Sequence, residues 1–293
     1  MSGSSLNNPE PTLPTGGNPK GPRGLQTVVR LDGFRQLWIG QIFSQLADKF
    51  YIVLMVYLIA QYWVTSTPQE NGALAEIASA IRMDFETRAQ RITLLATGVY
   101  VANTIPAMVL GSVAGVWVDR WPKRRVMVAS NGLRALLVLF TPIFLLPGPH
   151  WLGLSWGYWA LLVMTFLESV LTQFFAPAEQ AAIPLLVPKE HLLAANSLYQ
   201  ATRMGATIVG FALGDPILRG LNSLFQLVGL RGGEFLLLPF CYGMAALCLS
   251  TIRLHEQPRF EAVDSVWKEI VAGVQVLRER PSVRAALVHL VLP

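Results

Sequence analysis

The sequence predicts an all-α, polytopic membrane protein, and three observations carry that prediction: scarce charge, long unbroken apolar runs, and a lopsided distribution of lysine and arginine. Of the 293 residues, 53% are hydrophobic and 14% are charged, and the mean hydropathy is +0.45. A soluble domain carries about 25% charged residues to cover its surface. A chain this poor in charge cannot solvate its own exterior, so lipid is the solvent for much of it.

The apolar runs cover residues 37–63, 92–118, 126–146, 156–176, 194–213 and 235–252. Each is close to the roughly 20 residues that cross about 30 Å of hydrocarbon at about 1.5 Å per residue. Most are apolar around the whole circumference, as a helix facing lipid must be. The alternating pattern of barrel strands is missing from the sequence, which leaves helices as the way to satisfy the backbone in a bilayer. A seventh run opens after Pro281 and reaches Pro293, too short to span.

Ahead of the first run, residues 1–33 hold Pro9, Pro11, Pro14, Gly16, Gly17, Pro19, Gly21 and Pro22 with little that is apolar. Such a stretch cannot bury enough surface to offset its chain entropy and reads as a disordered tail. It has neither the apolar core nor the cleavage site of a secretory signal. The organisation predicted is therefore a disordered cytoplasmic tail over 1–33, a six-helix bundle over 34–252, a cytoplasmic linker over 253–280 and the start of a seventh helix over 281–293.

Orientation follows from the 23 lysines and arginines. With the N-terminus in the cytoplasm, 15 fall in inner segments and 5 in outer ones, the other 3 lying within spans. That asymmetry places the N-terminus inside and the protein in the plasma (inner) membrane, multi-pass. The outer segment after the first run has Leu74, Ile77, Ile81 and Phe85 at helical spacing, which fits a short amphipathic surface helix.

Several function classes are excluded. The net charge of +5 does not mark a nucleic-acid partner, because the basic residues fall between apolar runs rather than on one folded face. Cys241 and Cys248 are about 10 Å apart on a helix, too far for a disulfide. Gly153-Leu-Ser155-Trp-Gly157 fits G-x-S-x-G by letter, but a nucleophile elbow needs a strand before it, and no strand is predicted. The four histidines, His150, His191, His255 and His289, have no ligand spacing, so no metal is predicted. A phosphate loop is absent from the sequence; no cofactor is expected and the chain is not read as an enzyme.

At the inner end of the second run stands Gly115-Val-Trp-Val-Asp119-Arg120-Trp-Pro-Lys123-Arg124-Arg125. Gly115 permits close approach of a neighbouring helix. Asp119 sits at a helix C-terminus, where the macrodipole disfavours an anion, so it calls for a cationic or helix-N-terminal partner on another element. This stretch resembles the signature loop G-x-x-x-D-R-x-x-[RK]-[RK] of the major facilitator superfamily, between its second and third helices. Residues 174–198, FFAPAEQAAIPLLVPKEHLLAANSL, resemble the loop between helices four and five in one branch of it, which includes macrolide-type drug efflux permeases and exporters of catecholate siderophores. Pro177, Pro184 and Pro188 are read as ending one helix, and Asn196 or Ser197 as starting the next. Glu179 departs from the branch, which often has a basic residue there. The resemblance covers about residues 34–293 and implies twelve helices in two halves, of which these residues supply the first half and the opening of helix seven.

Ionisable groups inside spans mark function by default, because each is expensive in hydrocarbon. Asp48 and Glu168 lie near the middle of the first and fourth runs, and Lys49, Arg134 and Arg203 lie in the first, third and fifth. In the resembled fold, helices one and four line the central cavity. Asp48 and Glu168 would then face the substrate path with a basic partner in reach, one of them serving as the proton-coupling site; a static ion pair that fixes helix packing is the alternative. The resemblance implies a secondary transporter that exports hydrophobic or amphipathic small molecules against a proton gradient by alternating access. Its inner gate would be latched by Gly115, Asp119, Arg120, Lys123, Arg124 and Arg125. Membrane lipid and a second six-helix half are the implied partners. A non-transporting membrane scaffold, or a truncated relic of a transporter, is the other reading.

Overall fold

A computed structural model describes residues 22–64, 85–152, 154–227, 229 and 232–254. Helix α1 (Pro22–Arg30) leads into α2 (Asp32–Leu58), which continues through a π-helical turn (Ile59–Trp63). Then come α3 (Phe85–Arg120), α4 (Lys123–Leu139) with a 3-10 turn (Thr141–Leu145), α5 (Trp156–Leu186), α6 (Leu192–Leu227) and α7 (Leu237–Ser250). The six apolar runs thus become α2 to α7. Five of these helices, all but α6, are long and apolar enough to cross a membrane, α4 and α7 when taken with the 3-10 turns Thr141–Leu145 and Gly233–Leu236. Helix α6 has the length, but Arg203, Asp215 and Arg219 and its Ser, Thr and Asn residues dilute its hydropathy.

The helices pack as an open ring. Helix α2 packs on α6 and α7, α7 on α4, α4 on α5, and α5 on α3. Two apolar layers fill the ring. One holds Phe50, Leu54, Leu58, Val138, Leu161 and Leu238. The other, toward the 115–125 loop, holds Leu37, Met127, Phe175, Ala182 and Leu249. The exterior is apolar as well: Leu94, Met108, Ile208 and Leu247 are all exposed. In water that surface would be a liability; in lipid it is the ordinary outer face of a bundle.

Four expectations differ from what is observed. The tail predicted as disordered over 1–33 ends in α1, because Val28 is fully buried against the second apolar layer. Pro177 and Pro184 do not end their helix: α5 runs through both to Leu186, since packed neighbours in a membrane bundle can satisfy the carbonyls a proline frees. The next helix starts at Leu192, ahead of Asn196 and Ser197, on a 3-10 turn, Lys189–His191, that follows Pro188. A strand does occur before Ser155: His150–Trp151 and Leu154–Ser155 form a two-residue antiparallel pair. Ser155 is nonetheless a helix N-cap, its Oγ accepting from the Tyr158 backbone N–H, so the hydroxyl serves α5 rather than a nucleophile elbow. Of the surface helix predicted from Leu74 to Phe85, Phe85 opens α3; the rest of it, the linker beyond Leu254 and the seventh run lie outside the described residues.

Candidate functional site

One face of α2 carries Trp38, Gln41, Ser44, Asp48 and Tyr51, spaced at three or four residues so that they form a single stripe. Each reaches another helix. The Trp38 indole N–H donates to Thr202 Oγ1 at 2.8 Å and the Gln41 amide to the Tyr199 carbonyl at 3.1 Å, both on α6. Ser44 donates to Asn131 Oδ1 on α4 at 3.0 Å. Tyr51 and Thr165 of α5 share a hydrogen bond of 2.8 Å. The stripe satisfies polar groups that lipid could not.

Its centre is a charge cluster between the two apolar layers. Arg134 on α4, with no exposed surface, sets Nη1 3.5 Å from Asp48 Oδ1 and Nε 3.6 Å from Glu168 Oε1 on α5. The Tyr242 hydroxyl on α7 lies 2.8 Å from the same Asp48 oxygen and 2.9 Å from the same Glu168 oxygen. The guanidinium carbon also sits 5.1 Å from the ring centre of Phe175 and 5.6 Å from that of Tyr242, within the range of cation–π attraction. Arg134 Nε and Nη2 have no hydrogen-bond partner, so rings and carboxylates together compensate a charge that few hydrogen bonds satisfy. The Glu168 side chain is 6% exposed and that of Asp48 is 21% exposed; Asp48 is the end of the cluster that opens outward. Beyond the Tyr51–Thr165 hydrogen bond, Met55, Ile59, Val99 and Tyr100 line a crevice between α2 and α3, with Thr165 of α5 on its wall.

The structure brings together Asp48, Glu168 and Arg134 from the predicted set and leaves two others apart. The stem of Lys49 packs on Gly210 of α6, and Arg203 is exposed on α6. Tyr242 was not among the predicted residues. The available signal was a tyrosine seven residues into an apolar run, away from the membrane interfaces where that side chain concentrates. Glu179 is buried, accepting from the Tyr199 hydroxyl at 2.8 Å on Oε2 while Oε1 has no partner. Among the described residues, no group of His, Cys, Asp and Glu could hold a metal ion.

The basic loop closes helix ends. Lys123 Nζ donates to the Asp119 carbonyl of α3 at 2.6 Å, and the Arg124 guanidinium donates to the Ser250 carbonyl at the end of α7. Cations there complement the negative helix termini. Asp119 and Arg125 are exposed, and Arg120 is half-buried. A Cβ on Gly115 would meet nothing within 4 Å, so among the described residues the close approach expected at that glycine does not occur. Trp117 and Trp121 stack on Phe174, with ring centres 6.1 and 5.9 Å apart; the two signature stretches therefore touch.

A ring of apolar helices around a largely buried charge cluster, with a basic loop capping helix ends, is the architecture of a polytopic membrane protein. The chain belongs to the Major Facilitator Superfamily, whose family model matches residues 37–292. Macrolide efflux protein A of Streptococcus pyogenes is 24% identical over 187 residues, which are 62% of this chain and 42% of that protein. Multidrug efflux pump Tap of Mycolicibacterium fortuitum is 30% identical over 207 residues, 66% of this chain and 46% of that protein. An uncharacterized MFS-type transporter of Mycobacterium tuberculosis is 30% identical over 113 residues, 39% of this chain and 24% of that protein. The chain spans less than half the length of these relatives. No solved structure matches it significantly.

Proposed function

We propose that the chain is the N-terminal half of a proton-coupled exporter of hydrophobic or amphipathic small molecules, working by alternating access. The carrying observation is the cluster of Asp48, Glu168 and Arg134, buried between two apolar layers. Two acids served by one arginine are a carboxylate surplus in a medium that penalises charge, and burial disfavours the ionised form of an acid. Such a site can load a proton and release it when its surroundings change. An apolar crevice between α2 and α3, lined by Met55, Ile59 and Val99, lies one helical turn along α2 and α5 from the two acids, at Tyr51 and Thr165. Relatives named as efflux proteins support the export direction and the substrate class.

A second six-helix half would pack on the open side of the ring. Helix α3 supports this reading, since only 11% of its most apolar stretch is buried, and Tyr100, Val101, Ile105 and Met108 face outward. The N-terminus and the 115–125 loop are cytoplasmic in this reading, and the membrane is the inner one. Asp119 and the basic residues around it would latch that side of the gate.

The test is proton-driven uptake of ethidium into inverted vesicles carrying the full-length protein. Glu168→Gln and Asp48→Asn are expected to abolish uptake driven by a pH gradient while leaving passive exchange of the dye. A static packing pair would leave gradient-driven uptake unchanged in both variants, and that outcome removes the coupling role. Reagents added outside sealed cells should fail to reach a cysteine placed at Lys123.

A further inference from the structure

We infer that the Tyr242 hydroxyl bridges Asp48 and Glu168 into a single store for one proton. The inference deepens the proton-coupled reading and, for its use in transport, rests on it. Its basis is hydrogen accounting. The hydroxyl oxygen lies 2.8 Å from Asp48 Oδ1 and 2.9 Å from Glu168 Oε1, and both are hydrogen-bond distances. A tyrosine hydroxyl has one hydrogen to donate, and an ionised carboxylate has none. Facing two ionised acids it would have to split that hydrogen between them in a weaker three-centre bond, whereas donating to one acid and accepting from the other makes both contacts full hydrogen bonds. The other acid then carries a proton.

Charge leads to the same count. Arg134 is the cation within ion-pair distance of both acids. With two ionised carboxylates the cluster has a charge of −1, and with one shared proton it is neutral, the state a low-dielectric site favours. The guanidinium does not lock either acid, because 3.5 and 3.6 Å are long for hydrogen bonds. Of the other neighbouring titratable groups, none is within hydrogen-bond or ion-pair distance of the two acids among the contacts of the described residues. Tyr51 bonds Thr165, Glu179 bonds Tyr199, and the Lys49 stem packs on Gly210.

The shift itself balances. In one state the Asp48 carboxylic acid donates to Tyr242 Oη, which donates to ionised Glu168. When the Asp48 proton moves to Oη, the former hydroxyl proton moves to Glu168. Glu168 then donates to Oη, and Oη donates to ionised Asp48. One O–H bond breaks and one forms at the tyrosine, which remains neutral. Asp48, the more exposed acid, is the port, and Glu168 is the inner end of the store.

The experiment is an infrared pH titration of the detergent-purified full chain, read at the carbonyl stretch of protonated carboxyl groups. Tyr242→Phe is compared in the wild-type background and in Asp48→Asn. Removing the bridge is expected to weaken binding of the first proton at least about threefold in the wild-type background, since the one-proton state loses a hydrogen bond that the empty state lacks. In Asp48→Asn, with nothing left to share, the same substitution should cause no weakening. Any other pattern overturns the bridge, because a merely structural tyrosine would act alike in both backgrounds. Should Tyr242→Phe fail to run as a single folded species, replacing Tyr242 with difluorotyrosine keeps the shape and makes the hydroxyl more acidic. The carboxyl band is then expected to shift, and an unshifted band overturns the proposal. The readout needs no transport, so a chain that titrates as described but moves ethidium without proton coupling sinks the functional reading and leaves the bridge standing.

Discussion

Arg134 on α4 holds its guanidinium 3.5 Å from Asp48 on α2 while exposing none of its own side-chain surface. Removing one member of a buried, compensated set leaves the others uncompensated, which costs about 3–5 kcal/mol in soluble proteins. Arg134→Met is thus expected to lower the thermal midpoint of the detergent-purified protein far more than Glu168→Gln does. Combining Arg134→Met with Asp48→Asn and Glu168→Gln should restore most of the loss, because no charge then remains to be orphaned. A triple variant as unstable as Arg134→Met would show that the arginine acts through its bulk.

Glycines 205, 210 and 214 on α6 give a second prediction, since they are alike in sequence and unlike in place. A Cβ on Gly210 would run into the Lys49 stem of α2, and one on Gly214 would come within 3.0 Å of Val53, whereas one on Gly205 meets nothing within 4 Å among the described residues. Gly210→Ala is expected to destabilise by about 1–3 kcal/mol, as overpacking does. Gly214→Ala should have a smaller effect, because the Val53 methyl groups can give. Gly205→Ala should be neutral or slightly stabilising, since alanine suits a helix better than glycine. Thermal unfolding of the three single variants in one detergent checks the order, and equal losses would contradict the α2–α6 packing.

Those glycines also show where sequence reading reaches its end. Periodicity and charge locate the long helices, because a span must be apolar over about 20 residues whatever it packs against. The same logic singles out Asp48, Glu168 and Arg134, since charge in a span needs a reason. Which charges meet was not legible: Lys49 is adjacent to Asp48 in sequence, yet it packs on α6 while the acid meets Arg134. That depends on how four helices are rotated against one another, which no single helix encodes. Tyr242 was missed for the same reason. The stripe of Trp38, Gln41, Ser44, Asp48 and Tyr51 was legible in principle, as polar residues recurring on one face of an apolar helix. The prolines misled because the rule that ends a helix at proline belongs to water-exposed helices, and α5 is supported on several sides.

At the basic loop, Arg124 donates to the Ser250 carbonyl where α7 ends. A cation at a helix C-terminus contributes about 0.3–1 kcal/mol. Arg124→Ala should let the last turn of α7 fray, and amide exchange at Thr251 and Ile252 should rise roughly two- to fivefold. Arg125→Ala, one residue on and exposed, should leave that exchange unchanged. Equal effects would mean that the loop acts by net charge and not through this contact.

Glu179 is the position at which the chain departs from its branch, and the structure gives the departure a local reason. The side chain is fully buried, receives the Tyr199 hydroxyl on one oxygen at 2.8 Å and leaves the other without a partner. The contact it makes in the fold is as an acceptor for Tyr199, a job an amide oxygen does as well. Glu179→Gln should therefore keep the α5–α6 hydrogen bond and hold stability within about 0.6 kcal/mol of wild type, the average size of a hydrogen bond between membrane helices. Tyr199→Phe removes the donor and leaves the acid with no partner at all, so its loss should exceed that average and approach the largest measured values, about 1.7 kcal/mol. In the Glu179→Leu background neither partner remains to be stranded, and Tyr199→Phe should then have little effect. A full-sized loss in that background would mean that Tyr199 is held by something other than Glu179, and that the buried acid has a task besides accepting its hydroxyl.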